Sequence, residues 1–321
     1  MLSVYANAIH PNDPVTGLVV GDRPEPEVRE GWTTVTVKAA ALNHHDLWTL
    51  RGVGIRPEQL PMILGGDASG IDEDGNEVVV HSVITQPGWV GDDTLDPKRS
   101  LLSEVYDGTL AEKVSVPRRN LVPKPASLTF EEAACLPTAW LTAYRMLFVK
   151  AQLAPGSTVL IQGAGGGVST ASIALGKAAG LRVWVTTRTE DKAKNALALG
   201  ADQVFESGAR LPERVDAVID NVGQATWGHS LKSLKPGGAI VTCGATSGPN
   251  PPSDLNRVFF LQLRVIGSTM GTRDELEQLL ALLDTTGLRP QIDSVLPLAD
   301  AEAGMKRLAS GEVQGKIVLV P

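Results

Sequence analysis

Along the first third of the chain, apolar and polar residues alternate in short runs broken by proline and glycine. Thr33 to Ala41 reads TTVTVKAAA, Glu77 to Ile84 reads EVVVHSVI, and Leu110 to Val116 reads LAEKVSV. A period of two predicts half-buried strands, so Val4 to Val116 reads as an all-β, barrel-like block. Asp74-Gly75 marks a hairpin turn between a strand near Ala68 to Ile71 and the next one. The polar, irregular stretch Gln86 to Ser103 is expected to be a surface loop. After the link Val122-Pro123-Lys124-Pro125, Thr129 and Glu132 form a capping-box pair. Pro137 then interrupts a helix that resumes through Trp140, Tyr144 and Phe148.

Beyond that point the pattern becomes strand, helix, strand, helix. Val159 to Gly180 reads VLIQGAGGGVSTASIALGKAAG, a short apolar run, a glycine cluster and a helix of small residues. A pyrophosphate bound at a helix N-terminus needs bare backbone N–H groups, which glycine provides. The G-x-G-x-x-G template fits in two frames, Gly163, Gly165, Val168 or Ala164, Gly166, Ser169. The second puts Gly166 where backbone comes closest to phosphate and small Ser169 where helix packs on strand. The phosphates are therefore expected on Ala164, Gly165, Gly166, Gly167 and Val168.

A second strand, Arg182 to Thr187, leads into a helix opened by Thr189, running from about Glu190 to Leu199 and stopped at Gly200. The end of this strand meets the adenosine ribose, where an Asp or Glu would grip the free hydroxyl of NAD. Here the residues are Thr186, Thr187 and Arg188, with Lys192 one turn on. Two hydroxyls, a guanidinium and an ammonium suit a 2′-phosphate, which predicts NADP(H) as cofactor. The alternative is a plain solvated helix entrance. Further strands are predicted at Gln203 to Phe205, Val215 to Asp220, Ala239 to Cys243 and Val258 to Ile266, with a helix from about Thr226 to Leu234. The spacing before Val215 leaves room for a loop rather than a crossover helix. The tail carries a helix from the Thr272/Glu275 capping box to Leu283, another from Asp300 to Leu308, and a strand at Lys316 to Val320. It is too short to fold alone and is expected to return to the β block. The resulting division is 1–124 and 268–321 for one domain and 125–267 for the other, an α/β chain with a doubly wound parallel sheet.

The 321 residues, 43% of them hydrophobic, suffice for two cores. A net charge of −7 and the lack of a basic run with interleaved aromatics argue against nucleic acid as a principal partner. No signal-peptide pattern and no apolar stretch of membrane-spanning length is visible, so a soluble, cytoplasmic protein acting on a small molecule is expected. Cys135 and Cys243 lie apart in apolar segments and read as buried thiols.

The densest group of proton-handling residues is AALNHHDLW, with Asn43, His44, His45 and Asp46. His45 is the leading proton donor, because an imidazole titrates near neutrality; capping of backbone groups is the competing role. Asp46 reads as a helix cap. Zinc would require three ligands from separate segments; His44, His45, Asp67 and His81 are the candidates, but adjacent histidines point apart and no cysteine lies near. No metal is predicted. Trp48, Trp89 and Tyr106 are candidate pocket-lining residues, and His10 and His229 read as ordinary surface histidines.

The ordered series LNHHDLW, LGGDASG, YDGTLAEKVSVP, LTFEEAACLPTAWLTAYRML, the glycine turn, VTCGATSG, VIGSTMGT and SGEVQGKIVLV resembles the medium-chain dehydrogenase/reductase superfamily over nearly the whole chain. It is most similar to the zinc-free quinone oxidoreductase-like and alcohol dehydrogenase-like groups. The resemblance implies a GroES-like catalytic domain, a Rossmann domain, a cleft between them and a homodimer paired through Rossmann edge strands. Zinc-dependent members carry Cys, His-Glu and Cys where this chain has Asn43, Gly66-Asp67 and Thr138, and the four-cysteine lobe is missing from Gln86 to Ser103. Asn43 matches an Asn that lies near nicotinamide and substrate oxygen in zinc-free relatives, and His45 falls where others place a proton-passing Ser or Thr. The same alignment implies cofactor contacts at Thr142, Asn221, Val222, Gly244, Ala245, Ser268 and Met270, and a phosphate-holding role for Lys192. The implied activity is hydride transfer from NADPH to a quinone, activated alkene or carbonyl compound without metal. An alcohol dehydrogenase working oxidatively and a non-enzymatic NADPH-binding redox sensor are the alternatives.

Overall fold

The computed structural model describes residues 1–321. The chain opens with β1 (Leu2–Ala6), β2 (Leu18–Asp22) and the long β3 (Trp32–Ala41), which runs into helix α1 (His44–Leu50). Then come β4 (Met62–Ile63), β5 (Asp67–Asp72), β6 (Glu77–Val80), β7 (Val83–Ile84), β8 (Ser100–Leu101), β9 (Lys113–Pro117), β10 (Leu121–Pro123) and α2 (Phe130–Ala134). After Pro137 the backbone runs as a π-type turn over Leu136–Trp140 before α3 (Leu141–Tyr144). β11 (Thr158–Gln162), α4 (Gly167–Ala178), β12 (Arg182–Thr187), α5 (Glu190–Ala198), β13 (Gln203–Glu206), β14 (Val215–Asp220), α6 (Trp227–Ser233), β15 (Leu234–Thr242), α7 (Leu255–Phe260) and β16 (Arg264–Gly267) follow. The chain closes with α8 (Arg273–Thr286), β17 (Ile292–Pro297), α9 (Ala301–Ser310) and β18 (Lys316–Val320).

Contacts divide the chain into one unit of Met1–Leu141 with Met270–Pro321 and a second of Thr142–Thr269. The boundary therefore falls after Leu141, later than the proline-rich link suggests. The reason is local packing: Ala134 and Cys135 at the end of α2 are buried against Ala39 and Ala41 of β3 and Val318 of β18. The tail joins the first unit as expected, because β18 pairs antiparallel with β3, Val318 opposite Ala41, and β17 pairs parallel with β18.

In the first unit a seven-stranded sheet runs β10-β6-β5-β3-β18-β17, with β9 also on β3. Its core gathers Val35 and Val37, inward positions of the alternating run in β3, with Ile317 of β18 and with Leu47, Leu50 and Met305 from α1 and α9. The loop from Gln86 to Ser103 departs from expectation. Asp96 is fully buried and accepts the N–H groups of Gln86 and Lys98 at 2.7 and 2.8 Å, so its carboxylate folds the loop inward.

The second unit is a parallel sheet in the order β13-β12-β11-β14-β15-β16, the doubly wound arrangement with its switch point between β11 and β14. No helix separates β13 from β14, as the short spacing predicts. The strand expected over Val258–Ile266 is a correction. Asp254 caps a helix by accepting the Arg257 N–H at 3.1 Å, Gln262 ends it at φ 52°, and only Arg264–Gly267 remains extended. No helix is long and apolar enough to cross a membrane.

Candidate active site

Helix α1 begins where β3 ends, and its first turn is held by a buried carboxylate. Asp46 Oδ2 accepts the Asn43 N–H at 2.8 Å and Oδ1 accepts the Gly65 N–H at 3.0 Å. Gly65 sits at φ +101°, and a Cβ there would lie 2.5 Å from Thr109 Oγ1, so the close approach requires glycine. Burial pushes Asp46 up to about 6, against the pull of its backbone partner and of His45 and Lys316. It acts as the cap the sequence suggests.

Beside it, His45 projects its ring to Glu104, with Nε2 and Oε1 3.0 Å apart. Burial pulls the imidazole pKa down, but the Glu104 hydrogen bond and the charges of Asp46 and Glu104 outweigh it, and the net direction is up. His45 thus holds its proton more firmly than a free histidine while its side chain stays 22% exposed. Glu104 carries no sequence signal, since it lies in an irregular stretch. The structure orders that stretch through Ser103 at φ 69° and through Gln59, whose amide donates to the Glu104 carbonyl.

Asn43 is tied into the fold at both ends of its amide. Its amide nitrogen donates to Asp67 Oδ2 at 2.8 Å and to the Ala41 carbonyl at 3.2 Å, while its oxygen accepts Lys316 Nζ at 2.6 Å. An ammonium only donates and a carboxylate only accepts, so the two partners fix which end of the amide faces which. Both amide hydrogens are committed within the protein. Lys316 also bonds the Leu42 carbonyl at 2.8 Å and Asp67 Oδ2 at 2.9 Å. The register explains the meeting: continuing the β18–β3 pairing places Lys316 opposite Asn43. A lysine opening an apolar strand offered no hint of this from sequence.

A small cavity of about 20 Å³ lies in the first unit, lined by Asn43, His45, Gly66, Ser82, Leu101, Leu102, Thr138 and Met270. Met270, expected at the cofactor, is in this wall and at φ 47°. Trp48, Trp89 and Tyr106 are not among the residues that line this cavity. Tyr106 packs edge-on against Trp32 with centroids 4.8 Å apart and carries Arg29 over its ring, and Trp89 Nε1 donates to the Asp92 carbonyl. Trp48 is half-buried on α1. His44 is exposed and His81 is buried with Nε2 on the Gly271 carbonyl at 2.9 Å, so the four zinc candidates do not converge.

In the second unit the remaining cofactor candidates sit at the carboxyl ends of parallel strands, with Thr142 buried at the unit's first position. Gly166 caps α4 and Gly167 and Val168 form its first turn; a Cβ on Gly166 would meet nothing within 4 Å, so its backbone faces open space. Ala164 and Gly165 are buried beside it. A Cβ on Gly165 would lie 2.8 Å from Lys192 Cε and 3.0 Å from Nζ, so the lysine reaches from α5 over the glycine turn. Thr187 is buried at the end of β12 and Arg188 is exposed. Asp220 Oδ1 holds the N–H groups of Val222 and Gly223 at 2.9 and 3.0 Å, and Asn221 accepts from Thr246. Gly244 and Ala245 follow β15, half-buried like Cys243 between them and the strand. Ser268 follows β16 with its buried hydroxyl lacking a protein partner. An open helix N-terminus, a bare glycine cradle, an orphaned hydroxyl and cationic groups at the ribose end fit a nicotinamide dinucleotide phosphate. His229 corrects its reading as a surface histidine: Nδ1 meets Gln162 at 2.9 Å and Nε2 meets the Ala209 carbonyl at 2.8 Å, in a network continuing through Ser230 to Asp220.

Residues 29–126 match the family described as alcohol dehydrogenase GroES-like domain, and residues 167–285 match zinc-binding dehydrogenase. An acryloyl-coenzyme A reductase of Metallosphaera sedula is 31% identical, with 94% of this chain and 96% of the relative covered. A structure described as an NAD-dependent alcohol dehydrogenase superposes with a TM-score of 0.92 at 36% identity, covering 100% of both chains. A 2-octenoyl-CoA carboxylase reductase in complex with NADP and 2-octenoyl-CoA superposes with a TM-score of 0.92 at 25% identity, covering 99% of this chain and 87% of that one.

The second family name implies zinc, and the donor set does not fit it. The cavity heteroatoms are a committed amide, an imidazole bound to Glu104 and two hydroxyls, with no thiol among them. The adjacent carboxylate, Asp67, lies outside the lining and bears the Lys316 ammonium. With the double-unit fold, the ordered site and relatives matched along almost their full length, the chain belongs to the medium-chain dehydrogenase/reductase superfamily.

Proposed function

We propose that the protein is an NADPH-dependent reductase that saturates a carbon–carbon double bond conjugated to a carbonyl group, without a catalytic metal. The observation that carries this reading is the polarity of the first-unit cavity: a proton-retaining imidazole and hydroxyl donors, with no carboxylate or thiolate in its wall. Such a wall suits a substrate that gains negative charge on oxygen and then takes up a proton. The relatives named for acryloyl-CoA and 2-octenoyl-CoA support the same class of acceptor. Quinones and simple carbonyl compounds share the electronic demand and remain within the class to be assayed.

NADPH, when bound, supplies the hydride. Gly166, Gly167 and Val168 would receive its pyrophosphate at the start of α4, and Thr187, Arg188 and Lys192 its 2′-phosphate, in keeping with the lack of a carboxylate at the end of β12. His45 supplies the proton. Its Nε2–H is committed to Glu104, so Nδ1 carries the transferable proton, and Glu104 holds the ring's orientation through the transfer.

An alcohol dehydrogenase using NAD is the second reading, favoured by the 36% identical structure. One assay separates the two: NADPH and NADH oxidation with an enone and an acryloyl thioester, beside NAD⁺ reduction with primary and secondary alcohols. Turnover of the alkene preferring NADPH is the expected result; alcohol oxidation with NAD⁺ and no alkene turnover replaces it with the second reading.

A homodimer belongs to the same proposal. β16 is an edge strand of the parallel sheet, and Leu255, Phe259, Phe260 and Val265 on α7 and β16 are exposed apolar residues that a second copy would cover.

A further inference from the structure

Ser82, with His81 before it, separates two apolar stretches, β6 and β7, and its setting is unusual for a buried serine. The residue is 1% exposed, and its Oγ has no hydrogen-bond partner in the protein. Its backbone, by contrast, is clamped on every side. Asn120 Nδ2 donates to the carbonyls of both flanking residues, His81 at 2.7 Å and Val83 at 2.8 Å. The Ser82 carbonyl accepts the Leu102 N–H at 3.1 Å, and the His81 ring is tied to the Gly271 carbonyl. A rigid frame thus presents a hydroxyl that the fold leaves unused, in the wall of the cavity shared with His45 and Thr138.

The floor beneath it is Gly66. A Cβ there would sit 3.5 Å from Thr138 Oγ1 and 3.7 Å from Ser82 Oγ, so the two hydroxyls border the same bare patch of backbone. Leaving a buried hydroxyl unpaired costs stability, and a group kept in that state is positioned for something that arrives from outside the fold. Asn43, whose amide is committed elsewhere, leaves the role of oxygen donor open.

We infer that Ser82 Oγ, with Thr138 Oγ1 beside it over Gly66, forms the seat for the substrate's carbonyl oxygen and holds it as the enolate oxygen during reduction. This rests on the alkene-reductase reading and adds to it the group that selects a conjugated carbonyl over an isolated alkene. Hydride adds at the β-carbon. The π pair of the double bond becomes the Cα=C bond, and the carbonyl π pair moves onto oxygen, where the Ser82 O–H donates to it. The enolate then collapses as its α-carbon takes the proton from His45, which regains one from solvent. The balance is one hydride from the reduced nicotinamide and one proton from His45.

The test uses the full-length protein and variants Ser82→Ala, Thr138→Val and Gly66→Ala, with two readouts. Wild type is first titrated with a nitrophenolate, an enolate mimic whose absorbance reports hydrogen bonding to its oxygen. Ser82→Ala should weaken phenolate binding at least 10-fold while melting no lower than wild type, because the hydroxyl it removes has no partner to lose. In turnover of an enone with NADPH, Ser82→Ala should lower kcat about 100-fold, the scale of a lost oxyanion donor, with NADPH affinity unchanged. Thr138→Val should lose less, and Gly66→Ala should block the seat for both probes. Phenolate binding unaltered in Ser82→Ala, or an unaltered kcat, overturns the inference. A wild type that binds phenolate through Ser82 but reduces no conjugated alkene leaves the oxygen seat standing and overturns the reductase reading instead.

Discussion

Lys316 Nζ lies 2.9 Å from Asp67 Oδ2 with both side chains almost wholly out of solvent, and the same ammonium holds the Asn43 amide oxygen at 2.6 Å. The pair joins the last strand of the chain to the start of β5, and the bond to Asn43 ties it to the residue immediately before the helix that carries His45. All three ammonium protons have acceptors, so the charge is structural and sets where α1 begins.

Breaking that pair from one side should be costly. Lys316→Met leaves the Asp67 carboxylate buried without its cation and should destabilise by about 3–5 kcal/mol, read from urea unfolding. Lys316→Met with Asp67→Asn should recover much of the loss, since no charge is then stranded. Equal stability of the single and double variants would mean that packing, not charge, dominates.

The His45–Glu104 contact predicts a pH dependence of rate. With its pKa raised, His45 stays protonated to higher pH than a free imidazole, and kcat should fall as pH rises through that pKa. Glu104→Gln removes the larger upward influence and should move the falling limb to lower pH. His45→Ala should lower kcat by about 10²-fold or more. A limb that stays put in Glu104→Gln would assign it to another group.

Stability should vary with pH in the same direction. A group whose pKa is raised on folding binds its proton more tightly in the native state, so the His45 contribution is present below the unfolded histidine pKa and is lost as pH rises through the raised value. Asp46, pushed up to about 6, adds the same sign over the interval from its usual value of 3.8 upward: folding favours its protonated form, and stability declines as it ionises. Asp46→Asn should flatten this part of the urea-midpoint profile; an unchanged slope would contradict the buried-carboxylate account.

Cofactor choice should respond to the end of β12. Arg188→Ala with Lys192→Ala should weaken NADPH binding by about one to two decades for each charge-assisted hydrogen bond lost, roughly 1.5–3 kcal/mol apiece, with NADH little affected. An unchanged NADPH-to-NADH ratio would remove these residues from the phosphate site.

The parts of the molecule legible in sequence are those governed by local pattern. Alternation located β3, the Asp74-Gly75 hairpin located β5, the glycine cluster located the turn before α4, and the Thr272/Glu275 capping box located α8, because each depends on neighbours in the chain. The strand expected at Val258 became a helix because one capping side chain, Asp254, outweighed an apolar run. At the site, His45 was legible as a titratable residue in a dense polar cluster. Its partner Glu104 is 59 residues away, and Lys316 is 273 residues from Asn43, so no spacing could connect them. Ser82 did leave a signal, a lone hydroxyl in a buried strand run, but only the clamp from Asn120 and the cavity show that its side chain is idle.

The most direct test of the account is to incubate chelator-treated protein with an acryloyl thioester and NADPH deuterated at the transferable position of C4, then locate the label in the product. The account predicts a saturated thioester carrying one deuterium at the β-carbon and one solvent-derived hydrogen at the α-carbon, formed at full rate without added metal and lost in His45→Ala. Label recovered only in an alcohol from a carbonyl substrate, or activity that returns only with added zinc, would contradict it.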